Sequence, residues 1–142
     1  MSDIVRTYED LRVWKDAMRL VKIVYKVTDS FPDKEKYRLI DQLCRAAISV
    51  PANIAEDSAR RSTKDYIRFV NIAYSSLMEC ETHMRIACDI GYVTPPSLTE
   101  FLTLTLSIRK QLNALYSALK DRLRDNPKYQ IPTTKYLEPE PV

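Results

Sequence analysis

Residues 87–98 of the chain read ACDIGYVTPPSL, and this stretch contains the clearest helix end and helix start in the sequence. Gly91 is the only glycine among the 142 residues. Glycine is the residue best suited to the left-handed backbone conformation that closes a helix. Thr94 is a typical helix N-cap, and Pro95 after it suits the first helical position. The stretch therefore predicts a helix that ends near residue 90 and another that begins at residue 95.

Apolar residues at spacings of three and four extend outward from this stretch in both directions and predict helices over 63–90 and 95–125. Ser62, with Asp65 three residues later, resembles a capping box at the start of the first of these. Two more amphipathic segments precede them, over about 8–29 and 34–60, with a break at residues 30–33. Pro51 lies inside the second segment and predicts a kink there, because proline removes one backbone hydrogen bond and clashes with the preceding turn.

These four segments predict an all-α protein, an up-down-up-down four-helix bundle formed by residues 1–125. Four prolines in residues 126–142 predict an extended or disordered C-terminal tail. The length suits one domain. A single glycine excludes the glycine-rich phosphate loops of dinucleotide- and nucleotide-binding folds and disfavours a turn-rich β-sandwich or barrel.

Charge and cysteine content narrow the functional class. The formal net charge is +3 at pH 7, which is mildly basic. Cys44, Cys80 and Cys88 are odd in number and form no C-x-x-C pair, so we expect free thiols in a reducing compartment. Residues 1–8 contain no apolar signal core, and no apolar run approaches the roughly 20 residues that span a bilayer. We therefore expect a soluble cytoplasmic protein without membrane contact.

The segment over 8–29 has a basic stripe. Its five basic residues fall within an arc of roughly 80° over a length of about 20 Å. Such a stripe can follow a phosphate backbone, although a solvated helix face gives the same pattern. Asp16 is expected to lie off the stripe, which would leave it positive throughout. The stripe consists of Arg12, Lys15, Arg19, Lys22 and Lys26.

A second basic cluster surrounds the connection between the second and third segments. It indicates either another patch that contacts phosphate groups or a charged loop. Its members are Arg60, Arg61, Lys64 and Arg68.

The first segment also has two apolar faces, whereas a bundle helix normally buries one. The second apolar face predicts a homo-oligomer in which one face contacts a neighbouring subunit. The alternative is a helix surrounded by its own chain. One face contains Trp14, Met18, Val21 and Tyr25. The other includes the residues assigned to the subunit contact, Val13, Leu20 and Val24.

A polar stripe on the second segment is predicted to form a subunit contact or a polar network, with a solvated face as the alternative. A half-buried Arg45 would need a carboxylate, either Glu56 of another subunit or Glu79 of the third segment. The stripe consists of Gln42, Arg45, Ser49, Asn53 and Glu56, and Glu79 is grouped with it.

Catalysis is not expected. Ser76, Glu79 and His83 share a helix face, but Ser76 and His83 lie about 10.5 Å apart along the axis, too far for a nucleophile and its base. Glu79 and His83 are expected to form a surface i,i+4 pair. A di-iron Glu-x-x-His motif is missing, because Cys80 occupies the required position. We therefore expect no enzyme, no catalytic residue, no metal site and no cofactor.

Residues 45–56, RAAISVPANIAE, resemble the signature of the 23S rRNA intervening-sequence protein family, which are small bacterial four-helix bundle proteins. The resemblance extends over about residues 9–120. The chain departs from the family at Asp57, where glycine is usual, and this would let the second helix continue toward Arg60. Further matching pieces are Asp10-Leu11, Val13-Trp14, Phe31-Pro32, Glu35, Tyr37, Leu39, Gln42, Phe69, Ile72-Ala73, Ser76-Leu77, Glu79, Glu81 and Gly91-Tyr92.

The resemblance implies a ring, commonly a homopentamer. It also implies a fold similar to that of the accessory variability proteins of diversity-generating retroelements, which bind nucleic acid and a reverse transcriptase. We therefore expect a non-catalytic oligomeric scaffold that binds RNA or DNA through basic helix faces. The alternative is an adaptor for a polymerase or mobile-element enzyme, such as a reverse transcriptase, without direct nucleic-acid contact.

Overall fold

A computed structural model describes residues 8–56 and 62–125, which form four α-helices. These are α1 (Arg12–Thr28), α2 (Leu39–Glu56), α3 (Thr63–Ile90) and α4 (Pro95–Arg124). The described residues contain no β-strand, so the predicted all-α class and the helix count are confirmed. The predicted tail, Asp57 and the end of the second predicted segment lie outside the described residues.

The helices pack as a closed bundle. Helix α2 packs against α1 and α3, and α4 packs against α3 and α1, so that α1 and α3 are diagonal to each other. Short connections make consecutive helices antiparallel neighbours, which is the up-down-up-down arrangement. Within α2, the helix continues through Pro51.

One apolar stripe from each helix forms the core. Leu20 of α1, Leu43 of α2 and Met84 of α3 are completely buried. The largest fully buried side chains are Tyr116, Phe101, Leu20, Leu43, Ile54, Ile67, Leu77, Met84, Ile108, Leu112 and Leu119. Burial of such side chains stabilises each by roughly 1.5–3 kcal/mol, so the core holds the bundle without any disulfide.

The end of α3 is the glycine motif that the sequence predicted. Gly91 has a φ of 99°, in the left-handed region. Its N–H donates to the carbonyl of Cys88 at 3.0 Å, and the N–H of Tyr92 donates to the carbonyl of Ala87 at 2.9 Å. This pair of bonds is a Schellman motif, and it satisfies carbonyls that the helix leaves free.

Both predicted N-caps are confirmed. The hydroxyl of Ser62 accepts a hydrogen bond from the N–H of Asp65 at 3.2 Å at the start of α3. The hydroxyl of Thr94 accepts from the N–H of Ser97 at 3.4 Å at the start of α4. Each bond satisfies one free donor in a first helical turn.

Two helices begin later than the sequence predicted. The first α-helix does not begin near residue 8, because Tyr8–Asp10 forms a separate 3-10 turn. The second does not begin at residue 34, because Asp33–Glu35 forms another 3-10 turn with i to i−3 hydrogen bonds. Four exposed side chains follow Asp33, so an α-helix there would bury no apolar face. These are Lys34, Lys36, Tyr37 and Arg38.

The α1–α2 and α3–α4 connections contact each other at one end of the bundle. The hydroxyl of Tyr92 donates to a carboxylate oxygen of Glu35 at 2.8 Å. The rings of Tyr92 and Phe31 lie 5.3 Å apart between centroids. The hydrogen bond to Glu35 raises the pKa of Tyr92, because it stabilises the protonated phenol.

Candidate nucleic-acid interface

The predicted basic stripe lies on the surface of α1. All five of its residues are exposed, and the side chains of Arg12 and Arg19 are 78% and 65% accessible. These residues are exposed because α1 is oriented about its axis with its apolar side toward the core, where its buried residues lie. The stripe is therefore accessible along the whole helix.

Asp16 lies beside this stripe on its buried side, and the expectation that it would leave the stripe positive throughout is wrong. Its carboxylate is 3.6 Å from Nε of Arg12 and 3.4 Å from Nη1 of Arg19. The i,i+3 and i,i+4 spacings place both arginines beside it on the helix surface. The stripe is therefore not positive throughout, because one carboxylate joins two of its five cations.

Helix α4 fixes the position of Asp16. Nε2 of Gln111 donates to Oδ2 of Asp16 at 2.8 Å, the oxygen that Arg12 also faces, and Asp16 is only 9% exposed. A buried carboxylate requires partners of this kind, since an unpaired charge is costly to bury. Gln111 also donates to the hydroxyl of Ser107 at 3.3 Å.

A groove of about 340 Å³ runs between α1 and α4 beside these residues. Helix α1 contributes the two arginines, Asp16 and Ile23. Helix α4 contributes Glu100, Thr103, Leu104 and Ser107. Basic, acidic, hydroxyl and aliphatic groups therefore line the same groove, whose volume is that of a small-molecule site.

This groove was not among the predictions made from the sequence. A signal was available, because the α4 residues Glu100, Thr103, Ser107 and Gln111 recur at spacings of three and four and form a polar stripe. The sequence did not show that this stripe faces α1, since that depends on how the helices are rotated in the bundle.

The second basic cluster is separate from the stripe. Lys64 and Arg68 are exposed on α3, which is diagonal to α1. The guanidinium of Arg68 lies 4.3 Å from the ring centroid of Phe69 and 3.9 Å from a carboxylate oxygen of Asp65. The other two predicted members, Arg60 and Arg61, lie outside the described residues. The predicted nucleic-acid residues therefore form at least two surfaces.

The prediction that Val13, Leu20 and Val24 contact another subunit is wrong. They are at most 6% exposed and belong to the core of their own chain. These three residues form the face of α1 that packs inside its own bundle. Trp14 and Val21, on the other face, are half-buried against that core. Residues from both apolar faces of α1 therefore contact the core of the chain itself.

Part of the predicted polar stripe forms a network between α2 and α3. The hydroxyl of Ser76 donates to that of Ser49 at 2.8 Å. Nδ2 of Asn53 donates to the same Ser49 hydroxyl at 3.0 Å and to its carbonyl at 2.8 Å. These three side chains satisfy one another within the chain, and Ser76 has the role of a packing residue.

The remaining members of the stripe are on the surface. Arg45 is 77% exposed and pairs with Asp41 at 3.0 Å, so the expected partnership with Glu79 of the same chain is wrong. The reason is that Arg45 is not half-buried and finds a carboxylate one turn away on its own helix. Glu79 instead pairs with His83 at 3.7 Å, which confirms the expected i,i+4 pair. Gln42 and Glu56 are exposed.

Four exposed isoleucines lie on α2 and α3 around this network, and we call this set the isoleucine face. Its α3 members fall in the same arc as Ser76, within roughly 80° around the helix axis. The same arc of α3 also contains Glu79 and His83. The exposure of the four isoleucines ranges from 37% to 55%, which is unusual for isoleucine. The isoleucine face consists of Ile48, Ile72, Ile86 and Ile90.

The three cysteines are free thiols, as predicted, although only Cys80 is buried. Burial raises its pKa to about 12. Across residues 8–56 and 62–125, none of the helices has the length and apolar content needed to cross a membrane.

Comparison with known protein families identifies the family of the chain. The sequence model of the 23S rRNA-intervening sequence protein family matches residues 9–114, which is most of the chain. The match includes α1, α2, α3 and two thirds of α4. No curated protein matches the chain.

Proposed function

The chain belongs to the 23S rRNA-intervening sequence protein family, and we propose that it is a non-catalytic oligomeric scaffold that binds RNA or DNA through basic helix faces. It acts in the cytoplasm, where free thiols are stable. Phosphate contacts supply the affinity, and they require accessible cations rather than a reactive centre.

The observation that carries this proposal is the accessible basic stripe. Five cations on one side of α1 are exposed over about 20 Å, a length that spans several nucleotides of a strand. Asp16 reduces the net charge of the stripe but leaves the donors of Arg12 and Arg19 in solvent. A surface of this kind binds polyanions with an affinity that falls steeply with salt.

Oligomerisation strengthens this binding in the proposed scaffold. We place the subunit contact at the isoleucine face, because a contact there would bury four isoleucines that are 37% to 55% exposed in the single chain. The family resemblance implies a homopentamer. A ring repeats each basic stripe, so weak phosphate contacts add up through multivalency.

Binding of short oligonucleotides, measured by fluorescence anisotropy over a range of salt concentrations, tests the proposal. The variant with Arg12→Glu, Lys15→Glu, Arg19→Glu and Lys22→Glu is expected to lose binding. The control with Lys34→Glu, Lys36→Glu, Arg38→Glu and Lys110→Glu carries the same charge change at exposed positions off α1. It is expected to retain most of the affinity.

Two outcomes would contradict the proposal. An equal loss of oligonucleotide affinity in both variants would show that only net charge matters. It would overturn the assignment of binding to the basic stripe. A wild-type protein that binds no oligonucleotide at low salt would overturn nucleic-acid binding and favour the adaptor alternative.

A further inference from the structure

We propose that the groove between α1 and α4 binds one unpaired nucleotide of a single strand. Arg12 and Arg19 hold its phosphate groups, and the groove takes its base. This inference rests on the proposed function and names the form of nucleic acid that the basic stripe selects.

The phosphate end of the groove is an arginine pair with a defined geometry. Nε of Arg12 and Nη1 of Arg19 each lie within 4 Å of the single carboxylate of Asp16. The two guanidiniums are therefore held close together at the groove, although they are seven residues apart on the helix. Guanidiniums recognise phosphate through paired, charge-assisted hydrogen bonds, and their remaining donors face solvent.

Asp16 acts as a positioning residue for the arginine pair. It is buried, and Gln111 of the neighbouring helix donates to the carboxylate oxygen that Arg12 also faces. A carboxylate in this position orients both arginines without occupying the exposed surface. It thereby reduces the loss of side-chain entropy when a phosphate group binds.

The other end of the groove suits a base. The antiparallel packing that joins Asp16 to Gln111 sets Ile23 opposite Leu104, about 10 Å further along the axis. These aliphatic side chains provide an apolar floor. The hydroxyls of Thr103 and Ser107 and the carboxylate of Glu100 line the same space, and a carboxylate accepts from the amino groups of bases.

The size of the groove favours an unpaired base over a duplex. Its volume of about 340 Å³ is at the small end of ligand sites and suits one nucleotide. Base edges within a duplex are paired and stacked, whereas an unpaired base can be splayed out and inserted. A duplex would contact only the arginines at the groove mouth.

A substitution that fills the groove tests the proposal that the groove binds a base. Thr103→Phe places a ring in the groove, and we expect about tenfold weaker binding of single strands, the effect of losing one base contact, with duplex binding unchanged. Thr82→Phe is the matched control, because both threonine hydroxyls donate to the carbonyl four residues earlier, and Thr82 is exposed on α3. Control binding is expected to equal that of the wild type.

The sign of the effect of Asp16→Asn tests the arginine pair. If Asp16 only neutralised the stripe, removing its charge would tighten binding. The positioning role predicts binding of single strands that is several-fold weaker despite the added positive charge. Asp41→Asn, which frees Arg45 in the same way, is the charge-matched control, and circular dichroism checks that each variant folds.

The outcomes separate this inference from the proposed function. Wild-type protein that binds single strands and duplexes equally, with no effect of Thr103→Phe, would overturn the groove and leave the scaffold function standing. Tighter binding by Asp16→Asn would overturn the arginine pair. No binding by wild-type protein would overturn both.

Discussion

Cys80 shows how a single buried side chain links the stability of the bundle to pH. Its thiol is fully buried, and this burial raises its pKa from 9.0 to about 12. The neighbouring carboxylate of Glu81 acts in the same direction. The folded protein therefore retains the thiol proton at pH values where the unfolded chain has lost it.

We predict that the free energy of unfolding falls as the pH rises above about 9. The unfolded chain then binds fewer protons than the folded one, so this group alone lowers stability by up to about 1.4 kcal/mol per pH unit. Urea denaturation at several alkaline pH values measures the slope. Cys80→Ala should have a shallower slope, and an identical slope would contradict the assignment to this thiol.

Leu20 shows what the spacing of apolar residues cannot predict for a single residue. The spacing of apolar residues identified both faces of α1 but not which of them turns inward. That choice depends on the rotation of α1 against α2 and α4, which local spacing does not encode. The same rotation placed Asp16 between two arginines and against Gln111, a residue 95 positions away.

Leu20→Ala is expected to destabilise the bundle by about 2–5 kcal/mol, because it leaves a cavity in a closely packed core. Denaturation followed by circular dichroism measures the loss. Lys22→Ala, an exposed change two residues away, should stay within about 0.5 kcal/mol of the wild type. A small effect at Leu20 would mean that the inward face has been misassigned.

At the scale of elements, the helix ends were predictable where side chains determine them. Gly91, Ser62 and Thr94 each satisfy backbone groups within a few residues, so the signal is local. The starts of α1 and α2 were not predictable in the same way. There the choice between a 3-10 turn and an α-helix depends on which side chains the rest of the bundle buries.

Gly91→Ala is expected to destabilise the protein by about 1–2 kcal/mol. A side chain at φ 99° strains the backbone, whereas no atom lies within 4 Å of the added Cβ, so crowding makes no contribution. Gly91→Asn should lose less, since asparagine tolerates the left-handed region. Thermal denaturation measures both variants, and equal losses would contradict a purely backbone origin.

At the scale of the whole molecule, the predicted property is assembly. Light scattering at micromolar concentration should give a mass that is a multiple of 16.5 kDa. Combining Ile72→Glu with Ile86→Glu should shift it to the monomer without loss of helix, because charges are not tolerated in an apolar contact.

Tyr25→Glu is the control for assembly, since Tyr25 is 50% exposed on α1, which is diagonal to the helix that has three of the four isoleucines. It should leave the mass unchanged. A wild-type monomer would overturn the oligomer, and a mass unaffected by the isoleucine substitutions would move the contact to another surface.

The hydrogen bond between Tyr92 and Glu35 has a consequence for motion. It ties together the turns of the two helical hairpins, α1–α2 and α3–α4, at one end of the bundle. Neither hairpin can fray at this end independently of the other. Amide hydrogens around Phe31 and Val93 should therefore exchange with solvent as one cooperative unit. As the phenol ionises in alkaline solution, the bond is lost and the two turns should begin to exchange separately.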